Sequence, residues 1–180
     1  MKEKLLEQAK REYSPKRRCA ALIVEALFFL GIFPYGFISL GAILDGWLHW
    51  PEFSGMPIWL VVGLLLVAVG WPFALWSIYV QFTLGRGTPV PLMATQKLIV
   101  IPPYSFCRNP MALGTIMAYE GLAFLFGSLG AGVLVTLAAA GLLVYIKRVE
   151  EVEMETRFRQ AYLEYKRQTP FLLPRFRRKD

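Results

Sequence analysis

Apolar positions along the chain fall into blocks too long for a soluble core. Ala20–Leu44 and Pro57–Phe82 each exceed the roughly 20 residues a helix needs to cross the hydrocarbon layer, and Met111–Ile146 is nearly continuous and long enough to cross twice. The blocks predict an all-α, polytopic integral membrane protein with about four transmembrane helices and a cytoplasmic C-terminal helix. They divide one membrane domain into a basic segment before Ala20, two spans ending at Phe82, and a second half from Thr83 onward. Pro34 and Pro72 predict kinks within the first two spans, and Trp47, Trp50, Trp59 and Trp76 fit interfacial belts near helix ends.

Charge orients these spans. A net charge of +7 raises the question of nucleic acid, but the placement of the basic residues answers it. Of 20 Lys and Arg, 7 precede Ala20, 3 lie between Thr83 and Pro110, and 10 follow from Lys147, whereas Asp45–Met56 and Gly127–Gly130 carry none. Alternate loops differ in charge as the positive-inside rule requires, so both termini are expected in the cytoplasm of a bacterial inner membrane, with no nucleic acid as partner. The first apolar run is too long for a cleavable signal peptide. Cys19 and Cys107 both fall on the cytoplasmic side, where a disulfide is not expected, and with His49 as the sole histidine no zinc or haem ligand set is present.

Several residues stand out against this frame. Lys2–Tyr13 reads as a short interfacial helix, Ser14-Pro15 as a cap with a first-turn proline, and Lys16-Arg17-Arg18 as a topology anchor. Glu25 lies near the start of the first span, where its carboxylate can reach the interface or pair with a nearby Arg. Glu120 lies ten residues past Pro110, about 15 Å along a helix, and must face protein or water. Gly114, Ala118 and Gly121 share one helix face that admits a close neighbour, and Ala138–Gly141 offers a matching run of small residues.

The candidate chemistry centres on Ile101–Gly114, IPPYSFCRNPMALG. Asn109 is a favoured N-cap, Pro110 suits the first helical position, and Arg108 adds a cation, so the helix mouth attracts an anionic group. The preceding connection, Thr83–Asn109, is long and apolar and is expected to be ordered, with Leu98–Ile101 extended against the helices; it lacks the spacing of a phosphate-cradling loop. Beyond Ile146 the chain turns charged but keeps helical periodicity, with Met154, Phe158, Ala161 and Tyr165 within about 40° of one another. Glu153–Arg157 and Glu155–Arg159 read as surface pairs at i,i+4. Glu150 and Glu151 flank the apolar face without such a partner, which leaves two readings: a ligand from outside, or a helix-end pair with Lys147 or Arg148.

These motifs together resemble the isoprenylcysteine carboxyl methyltransferase and phospholipid methyltransferase family of integral membrane enzymes, over roughly Phe82 to Pro174. The family pattern is Gly-Thr-Pro-x-Pro, then Gly-Pro-Tyr-Arg, then Arg-(His/Asn)-Pro-x-Tyr-x-Gly, and finally Glu-Glu-x-x-Leu-x-x-x-Phe-Gly-x-x-Tyr-x-x-Tyr. Here it is carried by Gly87-Thr88-Pro89-Val90-Pro91, by Pro103-Tyr104, by Arg108-Asn109-Pro110 with Gly114, and by Glu150-Glu151 with Met154, Phe158, Tyr162 and Tyr165. The resemblance implies a methyltransferase using S-adenosylmethionine on a lipophilic or lipid acceptor. It implies a cofactor pocket drawn from Tyr104, Arg108, Asn109, Pro110, Gly114, Glu150 and Glu151, with Arg108 and Glu150 as candidate catalytic groups and no metal. Pro102, Ser105 and Ala112 depart from the pattern, which usually has Gly, Arg and Tyr there. The competing expectations are a membrane reductase related to sterol reductases, with a nicotinamide cofactor, and a small transport or scaffold protein acting through Glu25 and Glu120.

Overall fold

The structure, a computed structural model, describes residues 14–51, 57–88 and 95–174. Among these residues there is no strand. The described residues form four helices: α1 (Pro15–Leu48), α2 (Pro57–Gly85), α3 (Pro110–Leu125) and α4 (Leu129–Gln168). α1, α2 and α4 are each long and apolar enough to cross a membrane. α3, at 16 residues, reaches about 24 Å, somewhat less than the roughly 30 Å hydrocarbon layer. The protein is therefore an integral membrane protein. The expected interfacial helix at Lys2–Tyr13 lies outside the described residues.

Helix limits follow local chemistry. α1 opens at Ser14-Pro15 as expected, with the Ser14 carbonyl accepting from Arg18 N at 3.1 Å. It runs past the expected end at Leu44 and stops where His49 turns left-handed (φ 52°). α2 likewise outruns Phe82 and ends at the left-handed Arg86 (φ 57°). Gly127, at φ 64°, reverses the chain between α3 and α4, and Ser128 N closes the turn on the Ala123 carbonyl at 3.0 Å. The C-terminal helix expected beyond the hairpin is the continuation of α4, through a π-helical turn at Ile146–Glu150.

The chain forms two compact units. One contains Ala26–Pro72 and Gly114–Leu143. Here α1 widens into a π-helical turn at Phe28–Ile32, in which Phe33 N bonds the Phe28 carbonyl. The next bond in that register would come from Pro34, which has no N–H. The Tyr119 hydroxyl takes its place, donating to the Phe29 carbonyl at 2.6 Å. Small residues bring backbones together as expected for the α3 face: a Cβ on Gly70 would stand 2.6 Å from Gly114 O and from Ala118 N, and one on Gly63 2.8 Å from Gly121 O. Ala138–Gly141 does not supply the matching face; a Cβ on Gly141 would meet nothing within 4 Å among the described residues, and the α4 residues packed against Gly41 are Gly130 and Ala131. Asp45 caps α4, its Oδ1 accepting from Gly130 N at 2.6 Å and its Oδ2 from Ser128 Oγ at 2.5 Å. Trp59, expected in an interfacial belt, stacks on Phe124 with ring centroids 5.4 Å apart.

The other unit is Met1–Glu25, Phe73–Leu113 and Val144–Asp180. Arg18, from the basic cluster, donates to the Phe82 carbonyl and lies over that ring, 4.5 Å from its centroid. Ile99 is buried and its side chain lies against Gly85, so the connection packs on the end of α2.

Candidate functional site

Arg108 stands at the foot of α3 because Pro110 starts that helix and the preceding loop is pinned. Tyr104 does the pinning: its hydroxyl donates to Gln81 Oε1 at 2.7 Å, while Gln81 Nε2 donates to the Thr88 carbonyl at 2.8 Å. Thr88 is fully buried; Pro89 and Pro91 lie outside the described residues. Tyr165, from α4, donates to the Tyr104 carbonyl at 2.6 Å and so closes the loop against the C-terminal helix.

The two motif segments meet at an ion pair. Arg108 Nη2 lies 2.7 Å from Glu151 Oε1, with both side chains nearly buried. Lys166 Nζ takes the second Glu151 oxygen at 2.8 Å and bridges to Glu155 at 2.7 Å. Arg108 Nη1 donates to the carbonyls of Lys166 (2.8 Å) and Thr169 (3.2 Å), and its backbone N to that of Pro170 (2.9 Å). Asn109, expected to cap α3 with its side chain, uses its Nδ2 to bond the Phe171 carbonyl at 2.9 Å. Arg108 and Asn109 thereby clasp the segment after α4. One donor, Arg108 Nε, is buried without a partner among the described residues.

Glu150 differs from its neighbour. It is half-buried at the end of the π-helical turn, past the apolar part of α4, and no hydrogen bond or ion pair holds it among the described residues. The expected alternative of a pair with Lys147 or Arg148 is not formed. Burial, and then the nearby Glu153, push its carboxyl up to about 7. The hydroxyls of Tyr104 and Tyr162 are raised by burial foremost, and both feel the Glu150 charge. Cys107, buried beside Arg108, is pushed up to about 11, again by burial foremost.

Gly114 is buried one turn up α3, where its carbonyl faces Gly70, a packing contact and not part of the ionic cluster. Glu153–Arg157 forms at 3.1 Å, but not as the surface pair expected, since both side chains are largely buried. Glu155–Arg159 does not: the helix breaks at Arg159 (φ 47°, ψ −121°), and Glu155 turns to Lys166 instead. The same break leaves Ala161 exposed and buries Tyr162 with Tyr165. Lys166 was invisible to sequence reasoning, because no helical spacing relates it to Glu151. Among the described residues no group of three or more His, Cys, Asp and Glu is placed to hold a metal ion.

Residues 58–161 match the family model for phospholipid methyltransferase, more than half of the chain. The chain belongs to the phospholipid methyltransferase family. It is also 28% identical, over 137 residues, to the cobalt-zinc-cadmium resistance protein CzcN of Cupriavidus metallidurans; the match covers 76% of this chain and 58% of CzcN. No solved structure is significantly similar. For this phospholipid methyltransferase family member, every expected site residue lies inside the matched region, whereas Lys166 and the clasped segment lie beyond it.

Proposed function

We propose that this protein transfers the methyl group of S-adenosylmethionine to a lipophilic or amphipathic acceptor, an amine, carboxylate or thiol, at the cytoplasmic face of a bacterial inner membrane, with both termini in the cytoplasm. The observation that carries the reading is the division of labour within Glu150-Glu151. Glu151 is taken up by Arg108 and Lys166, while among the described residues Glu150 remains an unengaged carboxyl beside Tyr104 and Tyr162.

The residues present suit the cofactor's groups. Bound S-adenosylmethionine supplies an electrophilic methyl on a sulfonium. Glu150, beside Tyr104 and Tyr162, accepts from ribose hydroxyls or faces the positive end of the ligand. The α3 mouth at Asn109-Pro110, with the spare Arg108 Nε, suits the ligand's carboxylate. Glu151 acts through Arg108 and Lys166 as a positioning residue. Displacement at a methyl group needs alignment and exclusion of water more than covalent help, so holding donor and acceptor in line is the main task of the site.

Calorimetric titration of the detergent-solubilised full chain tests this. S-adenosylmethionine and its demethylated product bind, and Glu150→Gln weakens both about tenfold or more, the loss expected for one charge-assisted contact. Binding of reduced nicotinamide dinucleotide phosphate without S-adenosylmethionine would transfer the protein to the reductase reading.

A further inference from the structure

Near their shared turn, α3 and α4 line a groove of about 310 Å³, within the size range of small-ligand sites. Ala123, Phe124, Val133 and Leu137 make its wall apolar. Glu120 and Thr136 interrupt that wall, the Thr136 hydroxyl donating to Glu120 Oε1 at 2.8 Å. The groove's other hydroxyl, on Ser128, is spent on Asp45. Glu120 Oε2 lies beside Gly132, 3.5 Å from where a Cβ would stand, and among the described residues Thr136 alone bonds this carboxyl. The carboxyl is five residues from the end of α3, about 8 Å along the axis.

A carboxyl at membrane depth is costly and marks function by default. Among the described residues no cation pairs with it, and the compact unit that holds it, Ala26–Pro72 and Gly114–Leu143, contains no Lys or Arg. We propose that this groove binds a long-chain amine, with the ammonium head on Glu120 Oε2 and the alkyl chain along Ala123, Phe124, Val133 and Leu137. Thr136 holds Oε1 and so leaves Oε2 to the ligand. A second copy of this chain fits less well, since the same patch on a copy offers another carboxyl and no cation. A fatty acid brings like charge, and a fatty alcohol lacks the charge that strengthens the bond. The site is independent of methyl transfer and of the Glu150 cluster.

The test uses the full chain in phosphatidylcholine nanodiscs, irradiated with a diazirine-bearing dodecylamine or the matching dodecanol, and mass spectrometry of the crosslinked peptides. The amine labels peptides spanning Glu120 to Leu137 about tenfold more than the alcohol, and Glu120→Gln lowers amine labelling to the alcohol level. Gly132→Val, whose new side chain starts at ordinary contact distance from Glu120 and Ala123, fills the groove and suppresses both. Equal labelling by amine and alcohol, amine labelling unchanged in Glu120→Gln, or labelling that persists in Gly132→Val overturns the proposal; the last decides the matter alone if Glu120→Gln does not fold. A change from dimer to monomer on Glu120→Gln assigns the groove to a second copy and equally overturns it.

Discussion

The hydroxyl of Tyr119 occupies the place of the amide hydrogen that Pro34 lacks, 2.6 Å from the Phe29 carbonyl. In lipid no water can satisfy that carbonyl. Tyr119→Phe should therefore destabilise the protein by about 1–3 kcal/mol, the cost of an unmade buried bond. Pro34→Ala restores an N–H and should make Tyr119→Phe cheaper, so a double-mutant cycle by thermal unfolding in detergent should show coupling. Additive effects would deny the substitution of one donor for the other.

The Arg108–Glu151 pair should be far more sensitive than the surface pair beside it. Glu151→Ala leaves a buried guanidinium uncompensated and should cost about 3–5 kcal/mol. Glu155→Ala removes a contact whose two side chains are each 35% exposed, and should cost less than about 1 kcal/mol. Melting temperatures of the two variants, and protease sensitivity of the segment after α4, give the comparison.

Glu150 makes stability and ligand affinity depend on pH in opposite directions. Its carboxyl titrates at about 7 in the folded protein, against about 4.3 in an unfolded chain. The folded state thus favours the protonated form. Its contribution to stability is present below the unfolded value and is lost as the pH rises through about 7. Ligand binding to the carboxylate runs the other way: affinity for S-adenosylmethionine should rise from about pH 6 to about pH 8, and Glu150→Gln should flatten the profile. A flat profile in the wild type would take Glu150 out of the pocket.

Arg159 holds φ 47° and ψ −121° inside α4, a conformation that L side chains rarely adopt. Such strain costs about 1–3 kcal/mol. The family pattern has a glycine after its phenylalanine, and Arg159 follows Phe158 at that place. Arg159→Gly should raise the melting temperature. Arg159→Ala, which keeps a Cβ, should not.

The membrane helices were legible because lipid demands long apolar runs, and Ala20–Leu44 and Pro57–Phe82 lie wholly inside α1 and α2. Arg108 and Glu151 were legible through their motifs, and the structure brings them together. What stayed hidden depends on departures from regular geometry. A wheel of uniform period cannot foresee the break at Arg159, and so it misjudged Ala161 and Glu155. Nor can it show that the partners of Arg108 and Asn109 include the carbonyls of Lys166, Thr169 and Phe171, since a carbonyl looks the same at every position of the chain. Ala138–Gly141 had the composition of a packing face, yet Ala138, Ala140 and Gly141 are exposed.

At Gly63, Gly70 and Gly121 the main chains of α2 and α3 come so near that a single methyl would not fit. That seam is closed to anything as thick as an acyl tail. Hydrophobic molecules diffusing in the surrounding bilayer meet a sealed wall there, and whatever enters this protein from the lipid must pass along another side.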